Sequence, residues 1–133
     1  MADLGRATTA YVSGYQLDRV HQARLVRGAT RQLVANFNGA IPADSLIVSA
    51  TWRCLVPQSI AMSDAAISED QRSTSVLIKA QIGCGTTVKC QVTLDTGEVY
   101  NQVYWLRVRT SPWFMDEVTP LATGPYELTV TAP

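Results

Sequence analysis

Alternation with a period of two constrains this chain more than any other feature. Val88, Cys90, Val92 and Leu94 fall on one side of a run, with Thr87, Lys89, Gln91, Thr93 and Asp95 on the other. Successive side chains of a strand point to opposite faces, so this is the pattern of a half-buried antiparallel strand. Leu46, Val48, Ala50, Trp52, Cys54 and Val56 alternate in the same way with Ile47, Ser49, Thr51, Arg53 and Leu55 until Pro57 stops the run. Val76, Ile78, Ala80 and Ile82 alternate with Leu77, Lys79 and Gln81 up to Gly83-Cys84-Gly85. Tyr126, Leu128 and Val130 alternate with Glu127, Thr129 and Thr131 after Gly124-Pro125.

Turn chemistry separates these runs. Residues 32–37 read as a strand that ends at Asn38-Gly39 and Pro42, and Asp95-Thr96-Gly97 puts a glycine where positive φ costs little. Over 98–110, Tyr104, Leu106 and Val108 share one face, while Val99 and Val103 fall with Trp105 on the other. A β-bulge near Gln102 or Val103 would bring both halves onto one apolar face. Short strands at this spacing predict an all-β antiparallel sandwich, immunoglobulin-like or jelly-roll-like, over residues 31–133. A chain of 133 residues is long enough for one such core.

Residues 1–30 do not share the alternation and are expected to form an N-terminal basic arm. Up to Arg31, just past the arm, Arg6, Arg19, Arg24, Arg27 and Arg31 stand against Asp3 and Asp18, a net charge of +3; from Gln32 onward, six basic and nine acidic residues carry −3. The pattern over 14–28 allows one short helix with Leu17 and Val20 on a face and Gly28 at its end. A basic arm on an acidic body favours an acidic partner or a second copy of the chain; a merely solvated polar arm is the plainer alternative. No stretch is apolar and long enough to cross a bilayer, and the start lacks the apolar segment of a signal peptide. Synthesis and retention in a cytoplasm, with no membrane partner, is the expectation.

Residues suited to catalysis are sparse. His21, the single histidine, lies among Arg19, Gln22 and Arg24, where an exposed side chain is the plain expectation. Glu69-Asp70 and Asp116-Glu117 are adjacent in sequence in loop-like segments, whereas paired catalytic carboxylates need a fixed separation across a cleft. Gly83-Cys84-Gly85 leads into another strand, with no helix N-terminus to hold a phosphate. Cys54, Cys84 and Cys90 lack the paired knuckles of a zinc site and read as reduced core thiols, with a Cys84–Cys90 disulfide as the alternative. No cofactor or metal is expected. Nucleic acid is a poor fit, because aromatic residues in the arm are limited to Tyr11 and Tyr15 and the body is acidic.

Interaction surface is the remaining signal. Trp113-Phe114-Met115 follows Ser111-Pro112 beyond the last hairpin strand, where three large apolar residues either cover an end of the core or meet a partner. Arg19, Arg24 and Arg27, with Leu17 and Val20, are the arm's candidates for the same contact.

From about Leu33 to Thr110 the layout resembles a family of small immunoglobulin-like virion proteins of tailed bacteriophages. The residues that carry the resemblance are Ile47-Val48-Ser49-Ala50-Thr51-Trp52, the strand from Ser75 to Ile82 closing on Gly83-Cys84-Gly85, and the hairpin strand Val88–Leu94 with its turn Asp95-Thr96-Gly97-Glu98. A last strand runs through Leu106-Arg107-Val108. The resemblance implies a non-enzymatic particle protein that binds major capsid or tail subunits and self-associates symmetrically. A capsid cement or decoration protein is the first expectation and a tail-fibre or baseplate adaptor the second. A carbohydrate-binding sandwich using Trp105 or Trp113 as a sugar platform is the alternative from another class.

Overall fold

The computed structural model describes residues 7–11, 20–26, 28–54, 60–80, 85–109 and 127–132 of the chain. Among these residues there are nine strands and no helix: β1 (Ala7–Tyr11), β2 (Val20–Val26), β3 (Thr30–Asn36), β4 (Ile47–Cys54), β5 (Ile60–Ile67), β6 (Ser73–Ala80), β7 (Gly85–Leu94), β8 (Val99–Arg109) and β9 (Glu127–Thr131). They form a four-stranded sheet in the order β1-β3-β6-β5 and a five-stranded sheet in the order β2-β8-β7-β4-β9. β1 runs parallel to β3 and β2 parallel to β8, while every other pair is antiparallel. Strands β3 to β8 thus occupy the places of strands B to G in an immunoglobulin-like sandwich, with B-E-D in one sheet and G-F-C in the other. This order selects the immunoglobulin-like form over the jelly roll.

The alternation read from β6 and β7 is the alternation of the core. Val76, Ile78 and Ala80 face Val88, Cys90, Val92 and Leu94 between the sheets, and all seven are buried. β3 adds Leu33 and Ala35, with Phe37 just beyond it, and β8 adds Tyr104, Leu106 and Val108. Two aromatic side chains tie the sheets together through their polar tips. Trp52 Nε1 in β4 donates to Thr74 Oγ1 in β6 at 3.2 Å, and the Tyr104 hydroxyl in β8 donates to the Val34 carbonyl in β3. Buried Trp and Tyr need such partners, because an unpaired donor in the core costs its full desolvation. Their rings lie 5.8 Å apart, tilted by 33°.

Several expectations are corrected. No helix lies within the described part of 14–28, because β2 occupies Val20–Val26, and β1 joins the smaller sheet. Ala10 and Leu25 from these strands enter the core, so the first thirty residues are not simply an arm. Gly28, expected at a helix end, has φ +90° in the turn into β3, where its amide donates to the Ala80 carbonyl at 2.8 Å. β4 carries a bulge between Ile47 and Ser49, which reverses the parity upstream of it, so Ile47 is buried while Leu46 and Val48 face out. β8 has no bulge: it pairs with β7 in one continuous register from Val99 to Gly85's partner Arg107. Val99, Val103 and Trp105 therefore lie on the outer face, and the polar Gln102 takes the buried position.

Strand β5 has no counterpart in the alternation pattern. A register shift between Ser63 and Ala66, with Asp64 at φ +51°, breaks it in two. Ile60 and Met62 are buried ahead of the shift, and Ala65 and Ile67 pack on the core after it. Glu69-Asp70, expected in a loop-like segment, lies in a short turn over 68–72 that leads into β6 at Ser73. Arg72 in that turn fastens the β3–β4 connection, its guanidinium donating to Asn38 Oδ1 and to the carbonyls of Asn38, Ile41, Pro42 and Ser45 at 2.5–3.2 Å.

Candidate functional site

The interior offers little reactive chemistry. Cys54 and Cys90 are buried thiols that form no disulfide, with the Cys54 sulfur 3.7 Å from Thr86 Oγ1. Burial pushes the Cys90 thiol far above its ordinary range, and burial does the same to the Tyr104 hydroxyl, so both stay protonated at neutral pH. Cys90 sits beside Trp52 in the β4–β7 register, where many immunoglobulin domains carry one half of an inter-sheet disulfide. The opposing strand β3 presents Leu33 and Ala35 instead. His21 is not the exposed side chain expected: it is half-buried, with its ring edge-on to Tyr104 at a centroid distance of 5.7 Å. Among the described residues, no group of three or more His, Cys, Asp or Glu side chains is placed to hold a metal ion.

The outer face of the larger sheet is different. Because β2 and β8 are parallel and in register, Val20 lies beside Val103, Gln22 beside Trp105 and Arg24 beside Arg107. Adjacent strands are about 4.8 Å apart, so these pairs form three contiguous rows pointing away from the core. Val20 is 46% exposed, Trp105 42% and Val99, further along β8, 50%. Gln22, Ala23, Arg24, Trp105 and Arg107 line a shallow depression of about 180 Å³. Neither the Arg24 nor the Arg107 guanidinium has a partner among the described residues, although they are cross-strand neighbours of like charge. Arg53, by contrast, pairs with Glu127 of β9, donating from Nε at 2.8 Å.

Of the contact residues expected from sequence, the structure brings Val20 and Arg24 together on this face, as a strand's alternate positions rather than as a helix stripe. Leu17, Arg19, Arg27, Trp113, Phe114 and Met115 lie outside the described residues, as does Cys84. Val103 is the surface residue that the bulge expectation obscured, while Trp105 and Arg107 were expected on the outer side of β8 but not as part of a contact surface shared with β2. Their signal was in the sequence: an unbroken alternation through β8 puts valine, tryptophan and arginine all on the side opposite Tyr104 and Leu106.

No family model matches the chain, and no curated protein matches it. Solved structures similar to it include PbICP-C, determined in complex with falcipain-2, at 7% identity and a TM-score of 0.51, covering 80% of this chain and 100% of that one. A cysteine protease inhibitor from Entamoeba histolytica aligns at 13% identity and a TM-score of 0.46, over 79% of this chain and 98% of the inhibitor. A PKD domain of the KIAA 1837 protein aligns at 11% identity and a TM-score of 0.47, over 69% and 83% of the two chains. At such identities the likeness to PbICP-C is one of fold.

Proposed function

We propose that this chain is a non-enzymatic structural subunit of a tailed-bacteriophage particle that holds neighbouring subunits through the outer face of its larger sheet. One observation carries the binding part of this reading: exposed Val20 and Trp105, with Val103 between them, share one rigid sheet face with Arg24 and Arg107, whose guanidiniums have no partner among the described residues. Tryptophan and arginine are the residues that most often dominate binding energy at protein interfaces. The virion setting rests on the resemblance of the segment Leu33 to Thr110 to small phage particle proteins. Within that setting a capsid cement or decoration role comes first and a tail-fibre or baseplate adaptor second. Quantitative mass spectrometry of purified particles tests both. Copy number on the scale of the capsid lattice supports cement, copy number on the scale of a few rings supports an adaptor, and absence from particles refutes the virion reading.

A second reading has its own observation. Trp105 flanks a depression lined by Gln22, Arg24 and Arg107, a flat aromatic surface beside hydrogen-bond donors, which is the composition of a sugar platform. Glycan-array binding by the wild-type chain that is lost in Trp105→Ala would favour it over the subunit reading.

A further inference from the structure

Charge is segregated between the two ends of the sandwich. One end holds the β3–β4 connection, the β5–β6 turn and the β7–β8 hairpin, and it carries Asp44, Glu69, Asp70, Asp95 and Glu98. The described cation at this end is Arg72, whose guanidinium is occupied by the oxygens of residues 38–45. Three of these carboxylates bond to neutral donors. Asp95 Oδ1 accepts from the Leu46 amide, Glu98 from the Thr96 and Tyr100 hydroxyls, and Asp70 from the Ser68 hydroxyl and the Arg72 amide. The opposite end holds the end of β2, the start of β3, the end of β6 and the end of β8, with Arg24, Arg31, Lys79 and Arg107.

These ends are too far apart to neutralise each other. β8 alone spans eleven residues between them, roughly 35 Å at the rise of a strand. That is several times the screening length of about 10 Å at 0.1 M salt. Apolar surface accompanies each charge cluster. Leu46, Val48 and Val99 are exposed beside Asp95 and Glu98, and Val20 and Trp105 are exposed beside Arg24 and Arg107. Arg24 and Arg107, directly opposite each other in the register, also repel one another within the folded chain. An incoming pair of carboxylates relieves that repulsion.

We infer that the occupant of the Arg24–Trp105–Arg107 face is a second copy of this chain, seated by its acidic hairpin end. The contact is head to tail: Asp95 and Glu98 of one copy meet Arg107 and Arg24 of the next, and Leu46 and Val99 cover Val20 and Trp105. Such a heterologous contact leaves each copy with one free end, so it builds rings or filaments rather than closed two-fold dimers. This deepens the subunit reading above, on which it rests for the choice of face, by naming the partner.

Sedimentation velocity of the full chain tests it, using the charge-reversed variants Arg24→Glu/Arg107→Glu and Asp95→Lys/Glu98→Lys, each with its fold checked by circular dichroism. The wild type is expected to sediment as oligomers at about 10 mM salt, where the screening length is about 30 Å, and to move toward monomer at about 1 M, where it is about 3 Å. Each variant alone sediments as monomer, and an equimolar mixture of the two regains oligomers, because every junction again joins opposite charges. A wild type that stays monomeric at low salt overturns the inference, even where the same protein is found in particles, and the subunit reading then stands without it. Variants that assemble like the wild type overturn it, as does a mixture that fails to assemble. Binding of the Arg24–Arg107 face to an acidic segment of another protein, with the chain itself monomeric, overturns it as well.

Discussion

The two described tryptophans should respond oppositely to truncation, although they lie in one sheet on strands separated only by β7. Trp52 is fully buried and donates to Thr74 Oγ1 across the sandwich. Replacing it with alanine removes the largest fully buried side chain of the core, at a cost of about 3–5 kcal/mol. Losing the indole hydrogen bond adds little, because Thr74 Oγ1 keeps its own bond to the Ala66 carbonyl at 2.7 Å. Against a total stability of about 5–15 kcal/mol, Trp52→Ala removes a large share and leaves the chain marginal. Trp105 is 42% exposed on the outer face, and its truncation is expected to cost about 1 kcal/mol or less. Urea denaturation followed by circular dichroism measures both, with the midpoint carrying the change and the slope remaining constant. Equal losses for the two variants, or a Trp52→Ala midpoint near that of wild type, would refute the assignment of inner and outer faces for β4 and β8.

Removing residues 1–30 deletes β1 and β2 together with the buried Ala10 and Leu25, so the fragment is expected to lose about 5 kcal/mol or more and its cooperative transition. A sharp wild-type-like transition in the fragment would mean that neither strand contributes to the sandwich. In native buffer Cys54 and Cys90 should stay unmodified by a thiol reagent and react once denaturant is added, as peptide mapping would reveal. Arg72→Ala should cost about 2–3 kcal/mol by releasing the β3–β4 connection, and Arg72→Lys should recover little of it, since a lysine cannot reach acceptors on several sides at once. Thermal denaturation of the pair checks this.

Sequence pattern gave the fold class and much of the core because β6 and β7 keep strict alternation against a single buried face. It failed wherever a strand departed from that simplicity. The bulge in β4 turned Leu46 and Val48 outward, and the break at Asp64 split the apolar positions of β5 between two parities. A backbone irregularity changes parity without leaving a residue-level mark. β8 misled for the opposite reason. Its outer face is apolar enough at Val99, Val103 and Trp105 to suggest a bulge, when the cause is an exposed hydrophobic surface on a regular strand. β1 and β2 escaped notice because each is an edge strand, paired in parallel on one side and short or polar on the other. The arginines of the candidate face, Arg24 and Arg107, are separated by most of the chain. Only the parallel pairing of β2 with β8 brings them side by side, and neither segment implies the other in sequence.

The proposal that the outer face of the larger sheet holds neighbouring subunits is tested most directly by particle incorporation of a single full-length variant. Trp105→Ser combined with Arg107→Glu removes the aromatic anchor and reverses one charge without touching a buried residue. Circular dichroism and the urea midpoint establish that it folds, and its copy number in purified particles is then compared with that of the wild-type chain. The account predicts a folded variant that is depleted from particles by at least about tenfold, the loss that about 1.4 kcal/mol of binding energy produces. Incorporation of the folded variant at the wild-type copy number would contradict it.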